Sequence, residues 1–259
     1  MNGDVAVDFG QVSRIYDKSR YAIPEKVEKL AECLGLSPRS TVVDLGCGTG
    51  NFAHALSARV RHMVGVDLSP GMLRTARAKF PGLPLVIGDA TSLPFGDEAF
   101  DCAFAVQVLH HVRERLSFMK EVYRALKKGG RIGIDTCSHR QMKTFWFYHY
   151  FPGGLELDLA RIPDCSAIAG LLETAGFSEV GVQVSYTDIA YEHLRPERYL
   201  DADYRNGMST FRLLPPGEIE AGCWKLSQDM ASGEAEVIIA RHAAMEDVAG
   251  GSSIVFGKK

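Results

Sequence analysis

The chain has no long apolar run. Its most apolar and aromatic stretch, Phe145 to Phe151, is far short of the roughly 20 residues that cross a bilayer as a helix, so no membrane partner is expected. No N-terminal apolar segment follows a basic one, so no secretory signal is read and a cytoplasmic location is expected. Basic residues never run beyond a pair such as Lys127-Lys128, and the net charge is −3. A dedicated nucleic-acid surface, and hence a nucleic-acid partner, is therefore not expected. The six cysteines form no C-x-x-C pair and read as reduced thiols. There is no internal repeat and no low-complexity tract. What remains is ordinary for a soluble globular protein: 259 residues, 46% hydrophobic and 24% charged, enough for one large domain with insertions.

The informative stretch is Thr41 to Gly50. Thr41-Val42-Val43 is a β-branched run that reads as a buried strand ending at Asp44. Gly46, Gly48 and Gly50 follow at alternate positions, and Phe52, Ala53, Leu56 and Val60 then share one helical face. Strand, glycine turn and helix open a doubly wound nucleotide-binding unit. Without a Cβ the turn can approach a ligand closely, and the helix N-terminus offers unpaired N–H groups. Two readings compete here. The dinucleotide fingerprint G-x-G-x-x-G seats a pyrophosphate. In this chain the order is Asp44-x-Gly46-x-Gly48-x-Gly50, and an acid there repels a pyrophosphate but attracts an ammonium group.

At these residues the sequence resembles the S-adenosylmethionine-dependent methyltransferases of the Rossmann-like class, in their small-molecule (UbiE-like) type. Their first motif is an acid followed by G-x-G-x-G. Later segments continue the resemblance in order. His62 to Asp67 is a short apolar strand closed by an acid, placed to accept both hydroxyls of an adenosine ribose. Ser69-Pro70 is an N-cap and first helical residue. In the resembling family the Gly88-Asp89-Ala90 turn lies against adenine. Phe100 to Leu109 reads as a fourth strand running into His110-His111, so Gln107 to His111 sit at the ligand crevice. The Asn/Asp-Pro-Pro-aromatic motif of nucleic-acid amino methyltransferases is missing there. The Leu126 to Ile132 run, with Gly129-Gly130 expected to stop the preceding helix, also resembles the family.

The resemblance implies S-adenosyl-L-methionine as cofactor and S-adenosyl-L-homocysteine as product. It assigns cofactor contacts to Tyr16, Arg20, Tyr21, Asp44, Gly46, Gly48, Gly50, Asp67, Leu68, Asp89, Ala90 and Gln107. Tyr16, Arg20 and Tyr21 belong to a Tyr-Asp stretch that folds over the cofactor in many relatives; the alternative is an exposed helix with ordinary aromatic anchors. His110 or His111 is the candidate general base, the other being structural.

Beyond residue 137 the pattern loosens. Residues 138–165 and 190–250 read as lid insertions on one domain whose core is 24–137, 165–190 and 251–259. The first carries Phe145, Trp146 and Tyr150 as expected substrate contacts, since ligand pockets are mostly apolar with a few polar tips. The second includes an amphipathic helix around Trp224, Leu226 and Met230. Cys137, Cys165 and Cys223 could ligate a soft metalloid, but scattered cysteines are more often small buried hydrophobes, and no metal is expected. The expected fold is an α/β three-layer sandwich with a seven-stranded, mostly parallel sheet, the last strand antiparallel, under a helical lid. The expected reaction is SN2 methyl transfer to a small, largely apolar or aromatic molecule. The alternatives are an RNA (tRNA) methyltransferase on the same core, a NAD-dependent oxidoreductase, and a non-catalytic cofactor-binding module. Both a monomer and a homodimer fit the sequence.

Overall fold

The computed structural model describes residues 21–185 and 195–259. Helix α1 (Pro24–Leu34) starts on a proline, whose fixed φ suits the first turn. It buries Val27, Leu30, Ala31 and Leu34 and ends on left-handed Gly35. Strands and helices then alternate: β1 (Thr41–Leu45), α2 (Asn51–Ser57), β2 (His62–Asp67), α3 (Pro70–Lys79), β3 (Leu85–Ile87) and β4 (Phe100–Val106). Ser69 caps α3, accepting from the Met72 N–H at 3.3 Å. A 3-10 turn at Leu109–His111 leads to α4 (Arg115–Ala125) and the long β5 (Leu126–Thr136).

The first insertion follows as α5 (His139–Met142), a 3-10 turn at Trp146–His149 and α6 (Pro152–Arg161). The core resumes with α7 (Cys165–Ala175) and β6 (Ser178–Ser185). The second insertion comprises a 3-10 turn at Pro196–Leu200, α8 (Ala202–Asn206), α9 (Ser209–Leu213), α10 (Pro216–Ser232) and α11 (Glu234–Ala249), and β7 (Ser252–Lys258) closes the chain.

The seven strands form one sheet in the order β3-β2-β1-β4-β5-β7-β6. The first five are parallel to their neighbours, while β7 runs antiparallel between β5 and β6. The chain leaves β1 on one side for β2 and β3 and returns on the other for β4. That reversal is a topological switch point, where an open α/β sheet holds its ligand. Alternation along the strands feeds two cores. Val43, Leu45, Ala103 and Ala105 join Phe118, Met119 and Leu172 on one face. Val42, Cys102 and Phe104 join Leu30, Leu34 and Leu56 on the other.

The two insertions share a third core. Trp146, Phe147, Tyr148, Tyr150 and Phe151 pack with Tyr199, Tyr204, Phe211 and Leu226. Tyr199, fully buried, is the hub: its ring lies 4.9 Å from Trp146 and 5.3 Å from Phe147.

Three local expectations change. Helix α4 ends at Ala125, and Gly129 and Gly130 lie inside β5; a Cβ at Gly130 would stand 2.8 Å from the Lys127 carbonyl and 3.0 Å from that of Asp101, so glycine there relieves crowding within the sheet rather than stopping the helix. In α10, Leu226 is buried but Trp224 is 68% exposed, so Trp224 is not on the face that packs. Helix α2 is only one short segment, and Val60 lies beyond it. All six cysteines are free thiols; Cys137 donates to the Gly251 carbonyl and Cys223 to that of Tyr199. Among the described residues no helix is long and apolar enough to cross a membrane.

Candidate active site

The glycine turn is fixed by the strand beside it. The N–H groups of Gly46 and Cys47 both donate to the Val66 carbonyl, at 2.8 and 2.9 Å. Gly46 and Gly48 have φ of 70° and 54°, the left-handed region that side chains with a Cβ avoid. The Gly48 N–H donates to Asp67 Oδ2 at 2.8 Å, and the Ser69 N–H to Oδ1 at 2.8 Å. Each carboxylate oxygen keeps a further lone pair. The backbone thus locks Asp67 in orientation and leaves it able to accept from a vicinal diol. Burial pushes its carboxyl above the ordinary value, with the two N–H bonds opposing. At the end of β3, Asp89 Oδ1 accepts from both the N–H and the hydroxyl of Thr91 at 2.8 Å.

Two adjoining chambers lie at the carboxyl ends of these strands. The outer one, about 760 Å³, is lined by Asp67, Leu68, Asp89, Ala90 and His111, among others. The inner one, about 160 Å³, is lined by Tyr21, Lys26, Asp44 and, from the segment after β5, Phe145, Phe147, Tyr148, Asp158 and Arg161. Gly46, Gly48, Val106, Gln107, His110 and Ser209 line both and form the junction.

Asp44 is 2% exposed. Burial, and then the charge of Asp67, hold its carboxyl well above the ordinary range, against one N–H bond from Ala53. Such a group is short of a countercharge, and a bound ammonium would supply it. Gln107, at the junction, has φ 55°, uncommon for a residue with a side chain and frequent at ligand sites. Its conformation is held through Asp135: the Gln107 N–H donates to the Asp135 carbonyl at 3.1 Å, and Nε2 to Asp135 Oδ1 at 3.0 Å. Asp135 in turn pairs with Lys26 of α1 at 3.1 Å, both ends buried.

The placement of the sequence-derived residues follows. Tyr16 and Arg20 lie outside the described residues. Tyr21 is on the inner chamber, 42% exposed. Leu68 is a 69% exposed rim of the outer chamber. Gly50 lines neither chamber: with φ 80° it caps α2, so its part is the shape of the turn, not contact. His110 lines both chambers, His111 only the outer.

Of the three expected substrate contacts, Phe145 lines the inner chamber, but Trp146 and Tyr150 do not. The 3-10 turn sends successive side chains in different directions. Phe147 and Tyr148 join Phe145 on the wall, while Trp146 packs edge-on against Tyr150 and Tyr199 in the lid core.

Sequence reasoning did not find the polar side of the inner chamber's wall. Asp158, 2% exposed, accepts from Tyr148 Oη at 2.6 Å, Thr210 Oγ1 at 2.7 Å and Arg161 Nε at 2.7 Å. Arg161 Nη2 donates to Ser209 Oγ at 2.7 Å. Only the Asp158–Arg161 spacing on one helix face was a sequence signal; Ser209 and Thr210 come from the other insertion.

If Asp67 orients a ribose, Asp67→Ala weakens S-adenosylhomocysteine binding by about 1.5–3 kcal/mol, measured by calorimetry. Unchanged affinity in a folded variant would remove that assignment.

The family described as "Methyltransferase domain" matches residues 43–134. A demethylmenaquinone methyltransferase of Streptomyces avermitilis is 33% identical over 141 residues, which is 52% of this chain and 61% of the relative. One from Beutenbergia cavernae is 29% identical over 202 residues, 69% of this chain and 84% of the relative. In the first curated relatives the match spans less than two thirds of their own length, 61% and 57%. The solved structure of an Anabaena variabilis protein, provisionally named a methyltransferase of an antibiotic biosynthesis pathway, superposes with a TM-score of 0.81. It has 24% identity and the match covers 92% of this chain and 98% of that one; this likeness establishes the fold. The match falls on the segment that carries Asp44, the glycine turn, Asp67, Asp89 and the His110-His111 turn. Over residues 43–134 the chain is thus similar to a methyltransferase domain, on a fold shared with the Anabaena variabilis protein.

Proposed function

We propose that the chain is an S-adenosylmethionine-dependent methyltransferase acting on a small, largely apolar or aromatic molecule. It works as one domain whose two insertions form the lid. The observation that carries the reading is the pair of adjoining chambers: one holds the two strand-end acids Asp67 and Asp89, the other is walled by Phe145 and Phe147. The name of the curated relatives denotes a quinone-type acceptor, which is consistent with an aromatic wall. The net charge of −3 and the small inner chamber favour a small molecule over RNA, and the chain is read as cytoplasmic.

S-adenosylmethionine, when bound, supplies an electrophilic methyl group on a sulfonium. The residues fit it: Asp67 would accept from a ribose diol, Asp89 and the Ala90 turn would flank a base, and Asp44 would answer an ammonium. What the protein adds is alignment and exclusion of water. Alignment alone can contribute roughly 7–11 kcal/mol. The lid aromatics cover the inner chamber, and Gln107 and His110 stand at the junction with the outer one. His110 is the group placed to take a proton from an acceptor that carries one. His110→Ala then lowers kcat roughly a hundredfold with S-adenosylhomocysteine affinity little changed. An undiminished kcat would rule His110 out as base.

The direct test is calorimetric titration with S-adenosylhomocysteine and with NAD, followed by transfer of labelled methyl from S-adenosylmethionine to a panel of quinols and phenols. Binding of NAD in preference to S-adenosylhomocysteine would overturn the reading.

A further inference from the structure

We infer that the lid side of the inner chamber is a subsite for an ionised oxygen, a phenolate or a carboxylate, on the aromatic acceptor, with Arg161 as the residue that selects it. The inference rests on the proposed function only in treating the lid side of the inner chamber as the acceptor's, the Asp44 side being the cofactor's.

The argument is a count of donors and acceptors. The one carboxylate on the lid wall, Asp158, already accepts three bonds. Oδ1 takes Arg161 Nε, and Oδ2 takes both Tyr148 Oη and Thr210 Oγ1. Tyr148 and Thr210 have thereby committed their only side-chain protons. Arg161 has five N–H donors in a planar fork. Nε goes to Asp158, and Nη2 to the hydroxyls of Ser209 and Thr210 at 2.7 and 3.4 Å. Nη1 has no hydrogen-bond partner among the described residues, and the side chain remains 18% exposed where it lines the chamber. Ser209, which accepts from Arg161, has its own proton to donate, with no acceptor for it among the described residues. Asp158 Oδ1 keeps a lone pair, but Asp158 is only 2% exposed; the free protons of this wall are those of Ser209 and Arg161 Nη1, the latter two on a cation.

The pairing of Arg161 with Asp158 is through Nε and one oxygen, not the two-toothed fork that would occupy a whole edge of the guanidinium. The rest of the chamber gives such an oxygen no better place. On the sheet side Lys26 is committed to Asp135, and Asp44 would repel an anion. Met142, Phe145, Phe147, Ile162 and Met208 offer apolar surface around the wall. An aromatic ring seated there can turn one acceptor oxygen to Arg161 Nη1 and Ser209 Oγ. A neutral ether satisfies that wall less well than an anion, because charge-assisted bonds are roughly twice as strong as neutral ones.

The test is equilibrium binding to the full chain saturated with S-adenosylhomocysteine, using para-nitrophenol, para-nitrobenzoate and para-nitroanisole as probes. At a pH where the first two are ionised in solution, at least one anion is expected to bind about tenfold tighter than the neutral ether. Which anion wins distinguishes phenolate from carboxylate. The preference falls towards one in Arg161→Gln and is partly kept in Arg161→Lys, which has the charge without the fork. Should Arg161→Gln fail to fold, Ser209→Ala decides, because it removes the second donor alone. A wild-type protein that binds the ether as well as both anions overturns the inference. So does one that binds none of the three, or a preference unchanged in the folded Arg161→Gln or in Ser209→Ala. Absence of S-adenosylhomocysteine binding in wild type is a different result and strikes the proposed function itself.

Discussion

Gly46→Val is expected to abolish S-adenosylhomocysteine binding and to cost the fold roughly 2–5 kcal/mol. Two effects combine. The backbone at Gly46 has φ 70°, and a left-handed residue with a Cβ costs about 1–2 kcal/mol, with β-branching making it worse. The added Cβ would also stand 2.6 Å from Val108 Cγ2 and 2.8 Å from Cγ1. Val108 carries the chain from Gln107 into the His110-His111 turn. Relief therefore has to come from moving the junction of the two chambers, and overpacking of that kind costs about 1–3 kcal/mol more. Gly35→Ala is the control. Its φ is 61° but nothing lies within 4 Å of the new Cβ, so it carries the backbone strain alone and leaves binding intact. Urea unfolding and calorimetry on the two variants separate the contributions. Wild-type affinity in a folded Gly46→Val would remove the glycine turn from the cofactor site.

The half of the cleft proposed for the cofactor could be assembled from the sequence because its residues are local in sequence. Asp44 and the glycines lie on one strand–turn–helix unit, and Asp67 and Asp89 each terminate an apolar strand. A parallel sheet brings strand ends to one edge whatever the loops do, so reading the strands was enough to gather these residues. The half proposed for the acceptor has no such rule. Phe145 to Phe151 was visible as an aromatic run, but which of its rings face a ligand depends on the turn they adopt. The structure gives Phe145, Phe147 and Tyr148 to the chamber and keeps Trp146 and Tyr150 for the lid core.

The Asp158 network joins α6 to α9 across segments separated by about fifty positions of sequence, and no periodicity reports such a pairing. Gly129-Gly130 shows the reverse error. A glycine pair after an amphipathic helix looks like a helix stop, yet Gly129 meets a left-handed φ of 76° and Gly130 a close approach to the Lys127 carbonyl of its own strand and the Asp101 carbonyl of β4. Lys26 is the plainest case. On α1 it falls among Val27 and Leu30 as an ordinary charged position, and only the partner 109 residues away makes it a buried one.

Lys26→Met is expected to destabilise the protein by about 3–5 kcal/mol, the usual cost of removing one member of a buried ion pair. Methionine fills a similar volume, so most of the loss comes from Asp135, which keeps a carboxylate 1% exposed without its cation. Surface pairs in the same protein give the contrast. Lys29–Glu32 on α1 should change stability by about 0–1 kcal/mol when broken.

The pair also bears on the cleft. Asp135 accepts from Gln107 Nε2 while its carbonyl accepts from the Gln107 N–H, and these bonds hold the left-handed residue that both chambers share. Stability and binding can be separated by removing both charges. In Lys26→Met/Asp135→Leu no charge is stranded, and replacing a buried pair by apolar residues is often neutral or stabilising, so the urea midpoint recovers towards wild type. The side-chain acceptor for Gln107 is still gone, so S-adenosylhomocysteine affinity stays about tenfold or more below wild type, the equivalent of one hydrogen bond to a charged group. A loss under about 1 kcal/mol in Lys26→Met would mean that Asp135 finds solvent in place of the lysine. A double variant that recovers affinity along with stability would show that Gln107 keeps its conformation through the backbone bond alone.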